Sequence, residues 1–295
     1  MRSTAELLDG IRTPAEYSDG IRIPASDGMT LAARCWSVPQ PRGVVVLSHG
    51  LGEHGGAYAH VAEAIGRQVD FDFVAFDFRG HGRSPGRRGV IRQYGELVSD
   101  LQSSVAWVRK HRDGLPIFLL GHCAGGQVAI HVAQQNRGEI AGVIASNPMI
   151  RIGMPLPPVQ LKLGKLLMSL APWVTLRADV PVEGMTRDPL MLERYRTDKL
   201  RHKRISPPLF FGLVEGGQTL LDSARQIQTP ILLLVGGQDP VLSTASTHEF
   251  FDRVGSGDKT LLLYPEMLHE PLNELGRERV FDDLARWLEP RGLAP

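Results

Sequence analysis

The stretch Leu120-Gly121-His122-Cys123-Ala124-Gly125-Gly126-Gln127 joins an apolar run to a helical pattern, and it decides the fold. A strand that passes through Gly-x-Cys-x-Gly into a helix has the geometry of a nucleophile elbow, a tight turn that lifts one side chain above a sheet. Glycines suit the two flanking positions because larger side chains would collide where strand and helix nearly touch. The side chain at the tip, Cys123, lies at a helix N-terminus, where an anion is favoured. A buried, inert cysteine is the alternative reading of this stretch alone.

Similar apolar runs recur on both sides of the elbow, and most are continuous rather than alternating. Such runs are typical of central parallel strands that helices cover on both faces. They span residues 43–47, 71–76, 117–120, 140–144, 231–235 and 260–264. Helical patterns separate them, and residues 20–36, with a turn at Ser26-Asp27-Gly28, predict a leading hairpin. The sequence therefore predicts an α/β fold, a mostly parallel eight-stranded sheet flanked by helices.

One long stretch, residues 151–228, shows no alternation of strand and helix. It opens with prolines and continues with an apolar helical pattern from Val159 to Leu170, which Pro172 ends. Insertions of this length are usually functional. We expect residues 1–150 and 229–295 to form the core and 151–228 a helical lid. Leu163, Leu167, Leu170 and Trp173 of this insertion are candidates for the wall of an apolar substrate pocket, with packing on the core as the plainer alternative.

Composition narrows the class of protein further. The chain has 295 residues, 33 basic and 32 acidic, so a net charge of +1 gives no general attraction for nucleic acid. We find no apolar stretch of the roughly 18 residues that a membrane-spanning helix needs. The opening MRSTAELLDGIRTPAEYSDG lacks the apolar core of a secretory signal, and two cysteines form no disulfide framework. These features predict a cytoplasmic protein.

Two later segments supply partners for Cys123. Asp239 follows the run 231–235 in Gly-Gly-Gln-Asp-Pro, and His269 follows the run 260–264. Each alone would be read as a turn or surface residue. Together they follow the order nucleophile, acid, base, and both lie at carboxyl ends of strands, where open α/β sheets build their sites. We therefore predict a Cys123–His269–Asp239 catalytic triad.

Two Gly-rich loops follow the first two parallel strands. The turn His49-Gly50-Leu51-Gly52-Glu53-His54 is placed to offer the Leu51 amide as half of an oxyanion hole, with the Ala124 amide as the other half. The loop 77–84, Asp-Phe-Arg-Gly-His-Gly-Arg-Ser, carries Asp77, Arg79 and His81. We interpret this second loop as structural, held by its own hydrogen bonds.

These segments resemble the monoacylglycerol lipase and lysophospholipase branch of the α/β-hydrolases, which is grouped with serine aminopeptidase-like hydrolases. The resemblance runs from about residue 20 to 288 and rests on His-Gly-x-Gly-Glu-His, Asp-x-Arg-Gly-His-Gly-x-Ser and Gly-His-x-x-Gly-Gly. It implies the same triad and oxyanion amides and a mobile lid that admits acyl chains. It also implies hydrolysis of small-molecule acyl esters, such as monoacylglycerols, without a cofactor or metal.

The sequence departs from this family at the central atom, where serine is replaced by Cys123. A thiolate–imidazolium pair is a competent nucleophile that would form a thioester acyl-enzyme. Thioesters react readily with amines and thiols, so acyl transfer or thioester cleavage is an alternative to ester hydrolysis. A catalytically decayed binding module, and a cysteine introduced in place of serine to trap an intermediate, are further alternatives. Lys162 and Lys165 on the insertion helix suggest transient contact with an anionic membrane surface.

Overall fold

A single eight-stranded sheet forms the centre of the molecule, in the order β1-β2-β4-β3-β5-β6-β9-β10. The structure, a computed structural model, describes residues 16–136, 138–178 and 180–294. The first two strands pair antiparallel and β2 pairs antiparallel with β4, while the other neighbours are parallel. The strands are β1 (Glu16–Pro24), β2 (Thr30–Ser37), β3 (Gly43–Ser48), β4 (Phe71–Phe76), β5 (Ile117–His122), β6 (Gly142–Ser146), β9 (Ile231–Gly236) and β10 (Lys259–Tyr264); a separate short pair consists of β7 (Leu176–Arg177) and β8 (Arg204–Ile205).

Helices cover both faces of the sheet. They are α1 (Ala59–Val69), α2 (Gly95–His111), α3 (Ala124–Gln135), α4 (Pro158–Leu170), α5 (Pro189–Thr197), α6 (Pro207–Ser223), α7 (Thr244–Arg253) and α8 (Arg277–Leu288). The buried residues of α1 and α8 pack on one face, and those of α2, α3, α6 and α7 pack on the other. None of the helices in the described part of the chain is long and apolar enough to cross a membrane.

The predicted fold class is confirmed, with small differences at strand ends. All six apolar runs form strands, and the hairpin forms β1 and β2. The strand β5 extends two residues beyond its apolar run because Gly121 and His122 pair with Ala145 and Ser146 of β6. Ile140 is buried but precedes the ladder, which begins at Gly142. Residues 1–15, most of the opening segment discussed above, lie outside the described residues.

The long stretch between β6 and β9 consists of two structurally different parts. Its first part holds α4 and α5 and carries many exposed apolar side chains. Its last helix, α6, buries Leu209, Leu213, Leu220 and Leu221 in the main core, where Gln127 of α3 donates hydrogen bonds to the carbonyls of Leu213 (2.7 Å) and Met149 (2.6 Å). The division into core (1–150, 229–295) and insertion (151–228) stays a prediction, and α6 is the part of the insertion that belongs to the packed interior.

Candidate active site

The carboxyl ends of the parallel strands meet at one edge of the sheet, and Cys123 lies at its middle. The residue sits between β5 and α3 with φ +52° and ψ −118°, which is uncommon for a residue with a side chain. A Cβ on Gly125 would lie 2.0 Å from the Ser48 carbonyl oxygen, and a Cβ on Gly121 would lie 2.4 Å from the Gly125 carbonyl oxygen. The two glycines are therefore required by close approach of backbones, and the strained turn presents the half-buried thiol to a cavity.

The predicted acid and base are in direct contact beside this turn. Nδ1–H of His269 donates to Oδ2 of Asp239 at 2.8 Å, and the two side chains are 4% and 1% exposed. The second oxygen of Asp239 accepts the backbone N–H groups of Val241 (2.8 Å) and Leu242 (3.1 Å). These bonds orient the carboxylate, and the Asp239 contact fixes the tautomer of His269, so Nε2 is left for the thiol.

Electrostatics at the pair favour a charged imidazole. Burial opposes protonation of His269, but the Asp239 carboxylate and then the Cys123 sulfur outweigh it, and the pKa of His269 lies well above its ordinary value. Burial likewise disfavours the charged form of Asp239, yet the attraction of His269 lowers the pKa of that carboxyl. The arrangement therefore stabilises negative charge on the acid and positive charge on the base.

Asn147 fixes the loop that carries His269. It follows β6 with φ +38°, and its side-chain amide donates to the carbonyl of His269 at 2.7 Å. Its side-chain oxygen accepts the N–H of Gly236 at 2.9 Å, at the end of the strand that precedes Asp239. One side chain thus connects the two loops that hold the acid and the base.

The turn after β3 approaches Cys123 from the other side. Nδ1–H of His49 donates to the Gly50 carbonyl at 2.8 Å, while Nε2 accepts the N–H of Phe78 at 3.0 Å. Burial lowers the pKa of His49 to about 4, so the ring is a neutral structural link. Within the described residues, the amides of Leu51 and Ala124 have no hydrogen-bond acceptor. Leu51 lines the same cavity as Cys123 and His269. That these two amides form the oxyanion hole stays our prediction.

A cavity of about 490 Å³ opens above Cys123 and His269, within the range of small-molecule sites. Most of its wall is apolar and comes from the insertion and from the loop after β6; examples are Met149, Ile152, Leu161, Leu176, Phe210 and Leu213.

The four insertion residues proposed as pocket wall lie elsewhere in this structure. Leu163, Leu170 and Trp173 are 42%, 68% and 53% exposed, and Leu167 is half-buried outside the cavity lining. Leu161 and Gly164 line the cavity instead. The helix α4 packs on α6 at Gly164, where an added Cβ would lie 3.4 Å from the Phe211 ring. The apolar stripe of α4 therefore faces outward.

Part of the cavity wall is a polar cluster that sequence reasoning missed. Glu53, Arg201 and Glu270 form a buried cluster, in which Nη2 of Arg201 lies 3.1 Å from Glu53 Oε1 and 3.8 Å from Glu270 Oε1. Tyr195 donates to Glu270, and Tyr58 donates to Glu53 at 2.7 Å. The position of Glu270 directly after His269 was a signal that could have been used, whereas no local pattern marks Arg201.

The two carboxylates of this cluster, together with His122, form the one group of possible metal ligands among the described residues. Ligand atoms of Glu53, His122 and Glu270 all lie within 4.8 Å of one another. The guanidinium of Arg201 already supplies positive charge to both carboxylates. Burial and then His269 lower the pKa of His122 to about 4, and its Nδ1–H donates to the Ser146 carbonyl at 3.1 Å.

The Gly-rich loop after β4, which we predicted to be held by its own hydrogen bonds, is bonded mostly to neighbouring segments. Asp77 pairs with Arg34 at 2.9 Å and accepts the N–H of Gly55 at 2.7 Å. Arg79 pairs with Asp27 at 2.8 Å and donates to Asp100 at 2.9 Å, and Nδ1–H of His81 donates to the Arg79 carbonyl at 3.0 Å. These bonds tie the hairpin, the loop and α2 together.

Comparisons with known proteins identify the family of this chain. The family described as serine aminopeptidase, S33, matches residues 39–276. The monoacylglycerol lipase of Mycolicibacterium smegmatis is 32% identical over 84% of this chain and 88% of its own, and the human monoglyceride lipase is 29% identical over 90% and 89%. The crystal structure of Paleococcus ferrophilus monoacylglycerol lipase superposes with a TM-score of 0.82, with 31% identity over 89% of this chain and all of that one.

The matched region contains Cys123, Asp239 and His269 and the parallel strands after which they lie. These similarities and the fold show an enzyme that hydrolyses small-molecule esters. The chain belongs to the serine aminopeptidase S33 family of α/β-hydrolases, in the branch that includes the monoacylglycerol lipases.

Proposed function

We propose that this enzyme hydrolyses monoacylglycerol-like esters through Cys123, His269 and Asp239. The observation that carries the proposal is the buried Asp239–His269 contact of 2.8 Å, with Cys123 presented beside it on the strained turn. The sulfur adds to the ester carbonyl carbon, and the electron pair moves to the carbonyl oxygen. The amides of Leu51 and Ala124 stabilise that oxyanion, and each such donor typically contributes on the order of 10²–10³ in rate.

The intermediate then collapses to a thioester on Cys123. The carbon–oxygen bond of the ester breaks, and the alcohol leaves with the proton that Nε2 of His269 carried. In the second half, Nε2 accepts a proton from water as the water oxygen attacks the thioester carbonyl. The carbon–sulfur bond breaks, the carboxylic acid leaves, and the thiolate–imidazolium pair is restored.

The lining of the cavity supports this class of substrate. The apolar wall suits an acyl chain, and the polar cluster of Glu53, Arg201 and Glu270 suits an alcohol with further hydroxyl groups. Relatives named monoacylglycerol lipase point the same way. We therefore expect a larger kcat/KM for a glycerol monoester than for the methyl ester of the same acid.

Intact-mass spectrometry after incubation with p-nitrophenyl butyrate tests the nucleophile. The parent protein should gain one butyryl group, Cys123→Ala should gain none, and Cys35→Ala is the matched control, because Cys35 is buried in β2 away from the site. An adduct that persists in Cys123→Ala would remove Cys123 from the mechanism. If neither the parent nor Cys123→Ser forms an adduct or releases nitrophenol, the esterase function is contradicted and a binding module is favoured. Alkylation of Cys123 by iodoacetamide no faster than that of a free thiol would favour a binding module as well.

Acyl transfer or thioester cleavage is the second candidate, and the thiol at the elbow is the observation that favours it. A thioester reacts with amines and thiols, so an acceptor in the cavity would compete with water. Product analysis with hydroxylamine or a thiol acceptor separates the outcomes: acylated acceptor in excess over free acid supports transfer, and free acid alone contradicts it. If Cys123→Ser hydrolyses the ester faster than the parent, transfer or a trapping replacement of serine gains support.

We also propose that α4 contacts an anionic lipid surface during catalysis. Leu163, Leu166 and Leu170 are exposed, and the basic side chains of Lys162 and Lys165 are exposed beside them. The double change Leu166→Glu and Leu170→Glu should reduce sedimentation with phosphatidylglycerol vesicles about tenfold or more. Each substitution removes a leucine whose burial in the lipid contributes roughly 1.5–3 kcal/mol to the binding free energy. Leu275→Glu, an equally exposed position outside the insertion, is the control. Equal sedimentation of all three proteins would contradict the contact.

A further inference from the structure

A buried arginine from the insertion connects the two loops that flank the catalytic thiol. The side chains of Arg201, Glu53 and Glu270 are 17%, 4% and 1% exposed. Nη2 of Arg201 lies 3.1 Å from Glu53, in the turn after β3, and 3.8 Å from Glu270, in the loop that carries His269. One guanidinium therefore spans the turn that holds the oxyanion amide and the loop that holds the base.

Glu53 transmits this contact to the backbone beside Leu51. Its Oε2 accepts the N–H of Gly50 at 3.1 Å and the hydroxyl of Tyr58 at 2.7 Å, while Oε1 faces Arg201. The Gly50 amide immediately precedes the peptide that carries the Leu51 N–H. The Glu53 carboxylate thus fixes the peptide before the one that carries the Leu51 N–H, while the Gly50 carbonyl of that second peptide accepts His49 Nδ1–H at 2.8 Å and the Glu53 N–H at 3.3 Å.

Charge makes the arginine necessary for this geometry. Burial raises the pKa of Glu270, and repulsion from Glu53 raises it further, while Arg201 opposes both. Without the guanidinium, two buried carboxyl groups would face each other with no cation between them. Separation or protonation of the pair would then move Glu53 away from the Gly50 amide.

A backbone hydrogen bond and a side-chain contact join the same segment of the insertion to the same turn. The N–H of His202 donates to the Gly52 carbonyl at 2.9 Å, and His54 Nε2 lies 2.7 Å from Asp198. Gly52 has φ +74°, and a Cβ there would lie 2.2 Å from the His202 carbonyl oxygen. Residues 195–202, which we call the strap, are thus in close backbone and side-chain contact with the turn.

We propose that Arg201 is a positioning residue that holds the Leu51 amide in the oxyanion hole through Glu53. The inference rests on the proposed function, because it concerns the oxyanion of the same acylation step. It assigns the strap a role in rate rather than in substrate admission. Acylation requires the oxyanion hole, whereas alkylation of the Cys123 thiolate by iodoacetamide forms no oxyanion, so the two reactions separate this role from a general loss of structure.

The test compares the parent with Arg201→Met, Arg201→Lys and the control Arg109→Met, a surface arginine paired with Glu139. For Arg201→Met we expect the rate constant of acylation by p-nitrophenyl butyrate to fall between about 10- and 100-fold, below the full loss of a donor. KM for p-nitrophenyl butyrate, which has none of the hydroxyl groups of a glycerol monoester, and the rate of alkylation by iodoacetamide should stay within twofold of the parent. Arg201→Lys should recover part of the rate, because lysine keeps the charge but lacks the forked geometry.

Other results would overturn the inference. Acylation within twofold of the parent in Arg201→Met, parallel losses of acylation and alkylation, or a rise of KM alone would each exclude a positioning role. If Arg201→Met does not fold, Arg201→Lys carries the same comparison, with a smaller but equally selective loss expected. A parent protein that is alkylated but never acylated contradicts the proposed function and this inference with it, whereas an acylated parent with an insensitive Arg201→Met contradicts only the inference.

Discussion

His269 is the residue on which the chemistry of the site depends, because it is buried between the Asp239 carboxylate and the Cys123 sulfur. Its ordinary pKa of 6.5 is raised in spite of burial, by Asp239 first and by the Cys123 sulfur second. A raised pKa means that protonation stabilises the folded chain. That contribution is complete below pH 6.5 and is lost as the pH rises through the raised value.

This order of causes predicts the effects of two substitutions. Asp239→Asn should lower the pKa of His269 more than Cys123→Ala does, since Asp239 supplies the larger attraction. NMR of the imidazole proton resonances as a function of pH measures both. Asp282→Asn, at an exposed residue that accepts from Gln68, is the control. An unchanged pKa in Asp239→Asn would show that the acid does not hold the imidazolium.

At the level of elements, the elbow depends on how closely β5, β3 and α3 approach each other. Gly125→Ala would place a methyl group 2.0 Å from the Ser48 carbonyl oxygen, so strand and helix must separate. We expect a loss of unfolding free energy of about 1–3 kcal/mol, together with reduced activity.

Urea denaturation of Gly125→Ala and Gly95→Ala measures that cost. Gly95 is the first residue of α2, and a Cβ there meets nothing within 4 Å, so its replacement should be neutral or stabilising by roughly 0.5–1 kcal/mol. Equal stabilities of the two variants would show that the elbow can relax without cost.

Helix α4 shows why some features of an element do not follow from its sequence. The spacing of its leucines defines an apolar stripe, but periodicity does not say which neighbour covers that stripe. The contact between Gly164 and Phe211 rotates the helix so that Leu163 and Leu170 face outward. The element was predictable, whereas its rotation depends on α6, which lies much later in the chain.

At the scale of the whole molecule, the strands and the order of the triad were predictable because each is written in a short, local pattern. Buried parallel strands have continuous apolar runs, and carboxyl ends of such strands meet at one edge. The Glu53–Arg201–Glu270 cluster was not predictable, because its members come from three distant segments and each is an ordinary charged residue in sequence. Long-range ion pairs become visible only when the chain is folded.

Arg79 should contribute to the stability of the whole fold, since it joins the hairpin to α2. Its side chain is 5% exposed and pairs with Asp27 at 2.8 Å and with Glu96 at 3.2 Å, and it donates to the buried Asp100. Arg79→Met should lower the unfolding free energy by about 3 kcal/mol or more, because it leaves a buried carboxylate without its cation.

Calorimetry of Arg79→Met and of the exposed Arg279→Met, which loses its surface pair with Glu266 and its contact with the Tyr264 ring, separates a buried network from surface contacts. The control should unfold at the temperature of the parent. A loss of activity in Arg79→Met without a loss of stability would instead give this loop a catalytic role.

The strap has a consequence for the redesign of this enzyme. Residues 195–202 are bound to the turn beside the nucleophile, whereas α4 rests on α6 with its leucines exposed. The insertion therefore has two portions. The portion that ends before α5 can be exchanged, whereas the portion that contains the strap must be kept together with the catalytic loops. Chimeras with crossovers on either side of α4 should acquire a new acyl preference at an undiminished rate, whereas crossovers within the strap should yield folded proteins that acylate slowly.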